Sequence, residues 1–253
     1  MEQSKFLSVA LDAARKSEDI IMKYFSEGFE VRIKEDMSPV TQADTEGEEV
    51  IKKVISSAFP DHGFIGEEHG TERSDSDYQW IIDPIDGTKN FARGIPLFGT
   101  QIALMHKGEL VLGVSNAPAL KELMYAEKGK GAFLNGKKVG VSSVDKLSDA
   151  YICYGNLPRF ETIKKMGALL GLIEKTQQPR GIGDFWCYHL LASGRIDIMI
   201  EATTALWDIA AATIIIEEAG GTVTDITGKP VDKDTTSIIA ANGLHAEVLK
   251  YFK

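Results

Sequence analysis

The sequence predicts a mixed fold, α+β in its first half and α/β in its second. Three observations carry this. Two amphipathic helical stretches open the chain, a run of short strands with turn signals between them fills the middle, and strand and helix patterns alternate from Ala150 onward.

From Phe6 to Phe25 the apolar residues Phe6, Val9, Ala10, Ala13, Ala14, Ile20, Ile21, Tyr24 and Phe25 recur at helical spacing between charged residues, which predicts a packing helix. After Gly28 come a short alternating segment, a polar loop and a second amphipathic helix opening near Asp44 or Thr45. Thr45 and Glu48, three positions apart, have the form of a capping box. Taken alone, Lys34, Thr41 and Asp44 read as turn and cap residues. A short strand from Gly63 to Ile65 delivers Glu67 and Glu68 at its end, and a strand from Gln79 to Ile82 runs into Asp83-Pro84-Ile85-Asp86-Gly87-Thr88. Strands are then predicted at Gly99 to Met105, Leu110 to Ser115, Glu122 to Ala126 and Gly131 to Leu134. The turn signals Lys107-Gly108, Pro118 and Asn135-Gly136 separate them, so they form an antiparallel sheet.

A polar, turn-rich stretch from Asn135 to Asp149 marks a change of character, and we divide the chain there into residues 1–140 and 141–253. Beyond it the pattern predicts a strand at Ala150 to Tyr154, a helix around Phe160 to Leu172, a segment near Arg180 to Gly183 and a helix from Asp184 to Ser193. A strand from Ile196 to Glu201, a helix from Trp207 to Ala219, strands at Thr222 to Asp225 and Ser237 to Ala240, and a terminal helix from His245 complete the series. Gly220 and Gly221 stop their helix as glycines at a C-terminus do.

Composition narrows the function classes. A chain of 253 residues with 43% apolar content carries a substantial core. The formal net charge of −9, with no cluster of Lys and Arg, argues against nucleic acid as a partner. Cys153 and Cys187 lack metal-ligand spacing, so neither a zinc site nor a disulfide framework is expected. No apolar run is long enough to span a bilayer and the opening residues lack the form of a signal peptide, so a soluble, cytoplasmic protein is expected. His62, His69, His106, His189 and His245 are scattered without ligand spacing, and Trp80, Trp186 and Trp207 read as packing residues, with Trp186 also placed to line a pocket.

The densest chemistry lies between Trp80 and Phe91. Asp83 and Asp86, three positions apart at a strand end, can converge on one point. Pro84 pre-sets φ there, and Gly87 lets backbone N–H groups approach a ligand closely. Carboxylates are the ligands Mg²⁺ prefers, and phosphate oxygens complete its shell, so one reading is cation binding beside an oxyanion. The other is a tight turn built on Asp-Pro and Asp-Gly. Asp208, opening the apolar helix LWDIAAATIIIEEAGG, reads by itself as a carboxylate favourable to the helix dipole.

Taken together, GEE at Gly66 to Glu68, DPIDGT at Asp83 to Thr88, LWDIAA at Leu206 to Ala211, EEAGG at Glu217 to Gly221 and the upstream SPVTQAD at Ser38 to Asp44 closely resemble the inositol monophosphatase-like family of Mg²⁺-dependent phosphatases. The resemblance covers nearly the whole chain. It implies a layered αβαβα sandwich of the inositol monophosphatase and fructose-1,6-bisphosphatase type, a small phosphate monoester as substrate, two or three Mg²⁺ ions and a homodimer. It further implies that Glu67, Asp83, Asp86, the Ile85 carbonyl and Asp208 are metal ligands, and that Gly87 and Thr88 hold phosphate. Thr88 with Asp44, beside the metal-bearing Glu67, would then orient or deprotonate the attacking water.

Within that family, Arg180-Gly-Ile-Gly183-Asp184-Phe-Trp-Cys-Tyr188 looks most like the histidinol-phosphate phosphatase branch, as do FPDHGFIGEEHG and FARGIPLFGTQIAL. A carboxylate at Asp184 suits a substrate with an ammonium and an imidazole, through charge-assisted hydrogen bonds. Its other reading is a helix N-cap. Glu201 matches a substrate-contacting glutamate of the inositol enzymes, and Arg180 is grouped with Asp184 and Glu201 as a substrate contact. The expectation is hydrolysis of L-histidinol phosphate. The alternatives are inositol-1-phosphate or a wider set of sugar phosphates, and, in another class, a cation-binding regulatory protein without turnover.

Overall fold

The computed structural model describes residues 3–28, 31–33 and 39–253. Lys34 and Ser38 lie outside the described residues. Side-chain caps start the first two helices. Ser4 accepts from Leu7 N and opens α1 (Lys5–Glu27). A short antiparallel pair, β1 (Val31–Ile33) and β2 (Pro39–Thr41), precedes α2 (Gln42–Ala58), which is capped by Thr41. This differs from the expected start near Asp44 or Thr45. Asp44 is the third helical residue, and its carboxylate accepts from Thr41 N at 2.7 Å and Thr41 Oγ1 at 2.6 Å, so the capping box is Thr41 with Asp44.

The chain continues through β3 (Gly63–Gly66), β4 (Gly70–Glu72), β5 (Tyr78–Asp86), the short α3 (Thr88–Phe91), β6 (Gly99–His106), β7 (Glu109–Ala117), β8 (Glu122–Glu127), β9 (Gly131–Leu134) and β10 (Lys137–Val139). Strands β3 to β10 form an eight-stranded sheet in the order β10-β9-β8-β7-β6-β5-β3-β4. Only its β3–β5 pair is parallel. The second half supplies β11 (Tyr151–Tyr154), α4 (Leu157–Thr162), α5 (Met166–Ile173), β12 (Gln178–Arg180), α6 (Asp184–Ala192), β13 (Ile198–Glu201), α7 (Leu206–Glu218), β14 (Thr222–Thr224), β15 (Ile238–Ala241) and α8 (His245–Phe252). Its five strands run β12-β11-β13-β15-β14, parallel from β12 to β13 and antiparallel thereafter.

Apolar packing stacks these parts in five layers. Leu7, Leu11, Ile51 and Ile55 of α1 and α2 cover Trp80, Ile82, Ile102 and Leu104 on one face of the large sheet. On its other face Ile81 and Ala103 meet Leu206, Ala210 and Ala211 of α7. The opposite side of α7, through Ile209, Ala212, Ile215 and Ile216, packs with Cys187 and Leu191 of α6 against Met199 and Ala240 of the small sheet. Phe160, Leu169, Leu172 and Val248 of α4, α5 and α8 close the far face over Ile152, Ile198 and Ile200. The result is an αβαβα sandwich. Because α7 is enclosed on both sides it is apolar all round, as buried helices are. The approach is close: a Cβ on Gly113 of β7 would lie 2.5 Å from Ala211 O.

Three further expectations are corrected by the backbone. Asp83 to Asp86 is strand rather than turn, since β5 runs to Asp86 with a bulge between Asp83 and Asp86, and the chain turns at Gly87, where φ is 90°. The helix expected over Phe160 to Leu172 is two, because Lys164 takes a φ of 58° between α4 and α5. The polar stretch after Asn135 contains β10, which a short, exposed, lysine-rich segment does not announce.

Candidate active site

Three strands and two helices bring their ends to one cavity of about 930 Å³, lined by Glu67, Asp86, Lys89, Asn90, Arg159, Asp184, Glu201, Trp207 and Asp208 among others. Glu67 follows β3, Asp86 ends β5, Asp184 opens α6, Glu201 ends β13 and Asp208 lies in the first turn of α7. Asp83 is 1% exposed. Asp44 and Ile85 are also buried, and all three sit outside the lining.

Glu67 owes its place to a buried carboxylate on α2. Glu48 Oε2 accepts from Glu68 N at 2.8 Å, and Oε1 from His69 N at 3.2 Å and His69 Nδ1 at 3.0 Å. A Cβ on Gly66 would lie 2.1 Å from Glu48 Oε1, so a side chain there would push the carboxylate out of this clasp. Glu48 therefore serves the turn after β3 rather than pairing with Thr45 at the helix start.

The carboxylates are held by single oxygens. Asp83 Oδ1 accepts from Ile85 N at 2.9 Å, and Asp83 also shares a hydrogen bond with Glu67. Asp86 Oδ2 accepts from Phe185 N at 3.1 Å. Asp208 Oδ2 accepts from Ala205 N at 2.8 Å and Thr204 Oγ1 at 3.0 Å, so it caps its own helix while facing the cluster. Burial raises Asp83 well above the usual carboxylate range, and Glu67, Asp86 and Asp208 raise it further. Burial also raises Asp86, with Asp184, Asp208, Glu201 and Glu67 adding to it. Burial pushes Glu201 up to about 7 against the opposing hydrogen bond from Tyr188. Like charges gathered in this way have oxygen donors suited to a hard divalent cation, which would relieve their repulsion. Among the described residues no three such groups already stand in coordinating arrangement, because each is tied to neighbouring backbone or to another carboxyl.

Thr88 and Asp44 meet beside β5. Thr88 Oγ1 lies 2.9 Å from Ile85 O and 3.3 Å from Asp44 Oδ1. A hydroxyl has one proton, so only one of these oxygens receives it at a time. Burial raises Asp44 to about 6 despite its bonds from Thr41. Gly87 cannot be another residue on two grounds, its φ of 90° and a Cβ position 2.7 Å from Leu97 O.

Asp184 is not the N-cap of α6. That position is Gly183, and Asp184 itself takes a φ of 55°, a costly conformation for a non-glycine residue. Its carboxylate accepts from Asn90 Nδ2 at 3.3 Å, and its N–H reaches Glu201 Oε1 at 3.4 Å. Burial raises the Asp184 carboxyl, with Lys89 opposing. Tyr188 donates its hydroxyl to Glu201 Oε2. Arg180, expected at the substrate, is not brought there: it is exposed, and it donates to the neighbouring Pro179 O. Arg159 of α4 is the arginine on the cavity wall. Trp207, read as a packing residue, lines the cavity and Trp186 does not, its Nε1 being buried without a partner among the described residues. Sequence reasoning also missed Lys89 and Asn90, although they directly follow the DPIDGT motif. Glu48 was expected only as the capping partner of Thr45, and Tyr188 only as the end of the segment that resembles the histidinol-phosphate phosphatase branch.

The model of the inositol monophosphatase family matches residues 2–253. A histidinol-phosphatase of Chlorobaculum parvum is 39% identical over 243 residues, which are 93% of this chain and 92% of that protein. An inositol-1-monophosphatase of Mesorhizobium japonicum is 37% identical over 248 residues, 96% of this chain and 93% of that one. The crystal structure of the extragenic suppressor protein suhB from Bartonella henselae superposes with a TM-score of 0.91 at 33% identity, covering 99% of both chains.

Proposed function

Because the chain belongs to the inositol monophosphatase family and is a phosphoric monoester hydrolase, we propose that its substrate is a phosphate monoester bearing a cationic group, L-histidinol phosphate. The observation that carries this reading is the pairing of Asp184 and Glu201 on the cavity wall, apart from the carboxylates assigned to cations. With Glu67, Asp83, Asp86 and Asp208 neutralised by metal, these two are surplus negative charge facing substrate. An ammonium or imidazolium meets it with charge as well as hydrogen bonds, whereas a ring of hydroxyls supplies hydrogen bonds alone. Inositol-1-phosphate is the second reading, favoured by the relative of that name at nearly the same identity.

Glu67, Asp83, Asp86, the Ile85 carbonyl and Asp208 would hold two or three Mg²⁺ ions. When bound, Mg²⁺ supplies Lewis acidity toward phosphate oxygens and makes water a better nucleophile. The chain's own contribution is positional. Backbone N–H groups around Gly87 hold the phosphoryl group in line. A Thr88 proton directed to Asp44 Oδ1 leaves the Thr88 oxygen as acceptor for a proton of the attacking water. Asp184 and Glu201 fix the far end of the substrate, so the transferred group has one orientation. Phosphoryl transfer needs this positioning more than covalent chemistry.

No helix among the described residues is long and apolar enough to cross a membrane. A cytoplasmic setting and a homodimer are part of the same proposal, and light scattering of the purified protein checks the second. The deciding experiment compares kcat/KM for L-histidinol phosphate, inositol-1-phosphate and fructose-1,6-bisphosphate with Mg²⁺. Histidinol phosphate is expected to lead, and a preference for inositol-1-phosphate would replace the reading.

A further inference from the structure

A row of polar residues crosses the large sheet directly behind the cavity. Asp83 of β5 stands opposite Gln101 of β6, and Gln101 stands opposite Ser115 of β7. Directly opposed residues share a face with Cβ atoms about 5 Å apart. This is the face on which Ile81 and Ala103 pack against α7. Gln101 is 1% exposed, and neither its Oε1 nor its Nε2 has a hydrogen-bond partner among the described residues. An amide left in that state costs roughly 1–3 kcal/mol for each unsatisfied group, so it calls for a partner that the protein does not supply.

The neighbours define that partner. His189 Nε2 lies 2.7 Å from Ser115 Oγ, and its Nδ1 lies 3.2 Å from Glu122 Oε2. Nδ1 must donate to a carboxylate, so in the neutral ring that burial favours, against the pull of Glu122, Nε2 is the acceptor. Ser115 therefore spends its proton on His189 and faces Gln101 only as an acceptor. Asp83, on the other flank, is an acceptor too when it holds a cation. Neither flank offers Oε1 a donor, and among the described residues neither brings an acceptor within hydrogen-bond reach of Nε2. Water is the group that can give one hydrogen to Oε1 and the other to the Asp83 carboxylate.

We propose that Gln101 is a positioning residue for Asp83, holding that carboxylate through one buried water. The inference rests on the cation site of the proposed function. Outer partners of this kind orient metal-bearing carboxylates, and losing one typically weakens metal binding by roughly 10- to 100-fold.

The test is Gln101→Met, which keeps shape and removes the amide. Mn²⁺ binding is measured by calorimetry on unmodified and variant protein, with the metal-free melting temperature alongside. A Mn²⁺ Kd weakened by roughly 10-fold or more at undiminished metal-free stability supports the proposal. An unchanged Kd overturns it, since the amide is then only a cost. A Kd that weakens in step with a fall in metal-free stability also overturns it, as loosened packing accounts for both. Unmodified protein that binds no Mn²⁺ removes the cation site itself, which separates that failure from the others. Should the variant not fold, a crystal structure of the unmodified protein with Mn²⁺ decides. A water joining Gln101 to Asp83 is expected, and an amide unconnected to Asp83 overturns the proposal.

Discussion

The backbone N–H of Phe185 donates to Asp86 Oδ2 at 3.1 Å, joining two residues 99 positions apart. Phe185 follows Asp184 at the start of α6, and Asp86 ends β5. The residue proposed to select substrate and a carboxylate proposed to hold metal are thus one peptide unit apart. A change that moves one will register at the other.

Asp83→Asn is expected to be the most damaging single change to turnover, beyond the roughly 10- to 100-fold cost of losing an outer partner. The same variant should melt higher than the unmodified protein in EDTA. It replaces a buried acid, strained by Glu67, Asp86 and Asp208, with a neutral amide. Calorimetry and phosphate release with Mg²⁺ check the pair of effects, and near-normal turnover in a folded variant sinks the metal assignment.

Without divalent cations, stability should fall as pH rises from about 5 to 8. Asp44 is raised to about 6 and Glu201 to about 7 in the fold, against roughly 4 for carboxyls in the unfolded chain. A raised acid leaves its full stability in place below the unfolded pKa and loses it as pH climbs through the folded value. Asp83 and Asp86 shift the same way. Melting temperatures in EDTA across this range measure the fall, and saturating Mg²⁺ should flatten it.

Asp184→Asn should fold, because asparagine tolerates the φ of 55° at this position and leaves the N–H bond to Glu201 in place. Removing the charge should lower kcat/KM for L-histidinol phosphate by roughly 10- to 100-fold, the range for a charged hydrogen bond. Inositol-1-phosphate should be little affected. An unchanged ratio between the two substrates would refute the role given to Asp184.

Glu48→Ala strips the acceptor from Glu68 N and His69 N, at a cost of roughly 1 kcal/mol for each part-buried hydrogen bond lost. Denaturant unfolding reads that loss. Since the freed turn carries Glu67, the Mg²⁺ concentration for half-maximal activity should rise as well.

The layered fold is legible in the chain because the helical period is strong where one face is buried, as in α1, and a short apolar run between turn signals marks a strand buried on both faces, as in β6. What is not legible is contact across layers. Glu48 sits at a spacing that suits a local cap, yet its carboxylate reaches a turn some twenty positions on. Arg180 and Arg159 look alike in sequence, and only the course of β12 and α4 decides which one faces the cavity. Asp83 to Asp86 carries every signal of a turn, but pairing with β6 keeps it in the sheet. Local propensity yields there to long-range hydrogen bonding.

Gly113 lies on β7, outside the cavity lining, yet α7 rests against it so closely that a side chain would have to push the helix aside. Asp208 rides on that helix, one turn before Ala211. In a saturation-mutagenesis screen scored only for phosphate release, position 113 should therefore rank with the residues of the site, although it touches neither substrate nor metal. A homologous half transplanted into this chain would have to bring a matching helix with it.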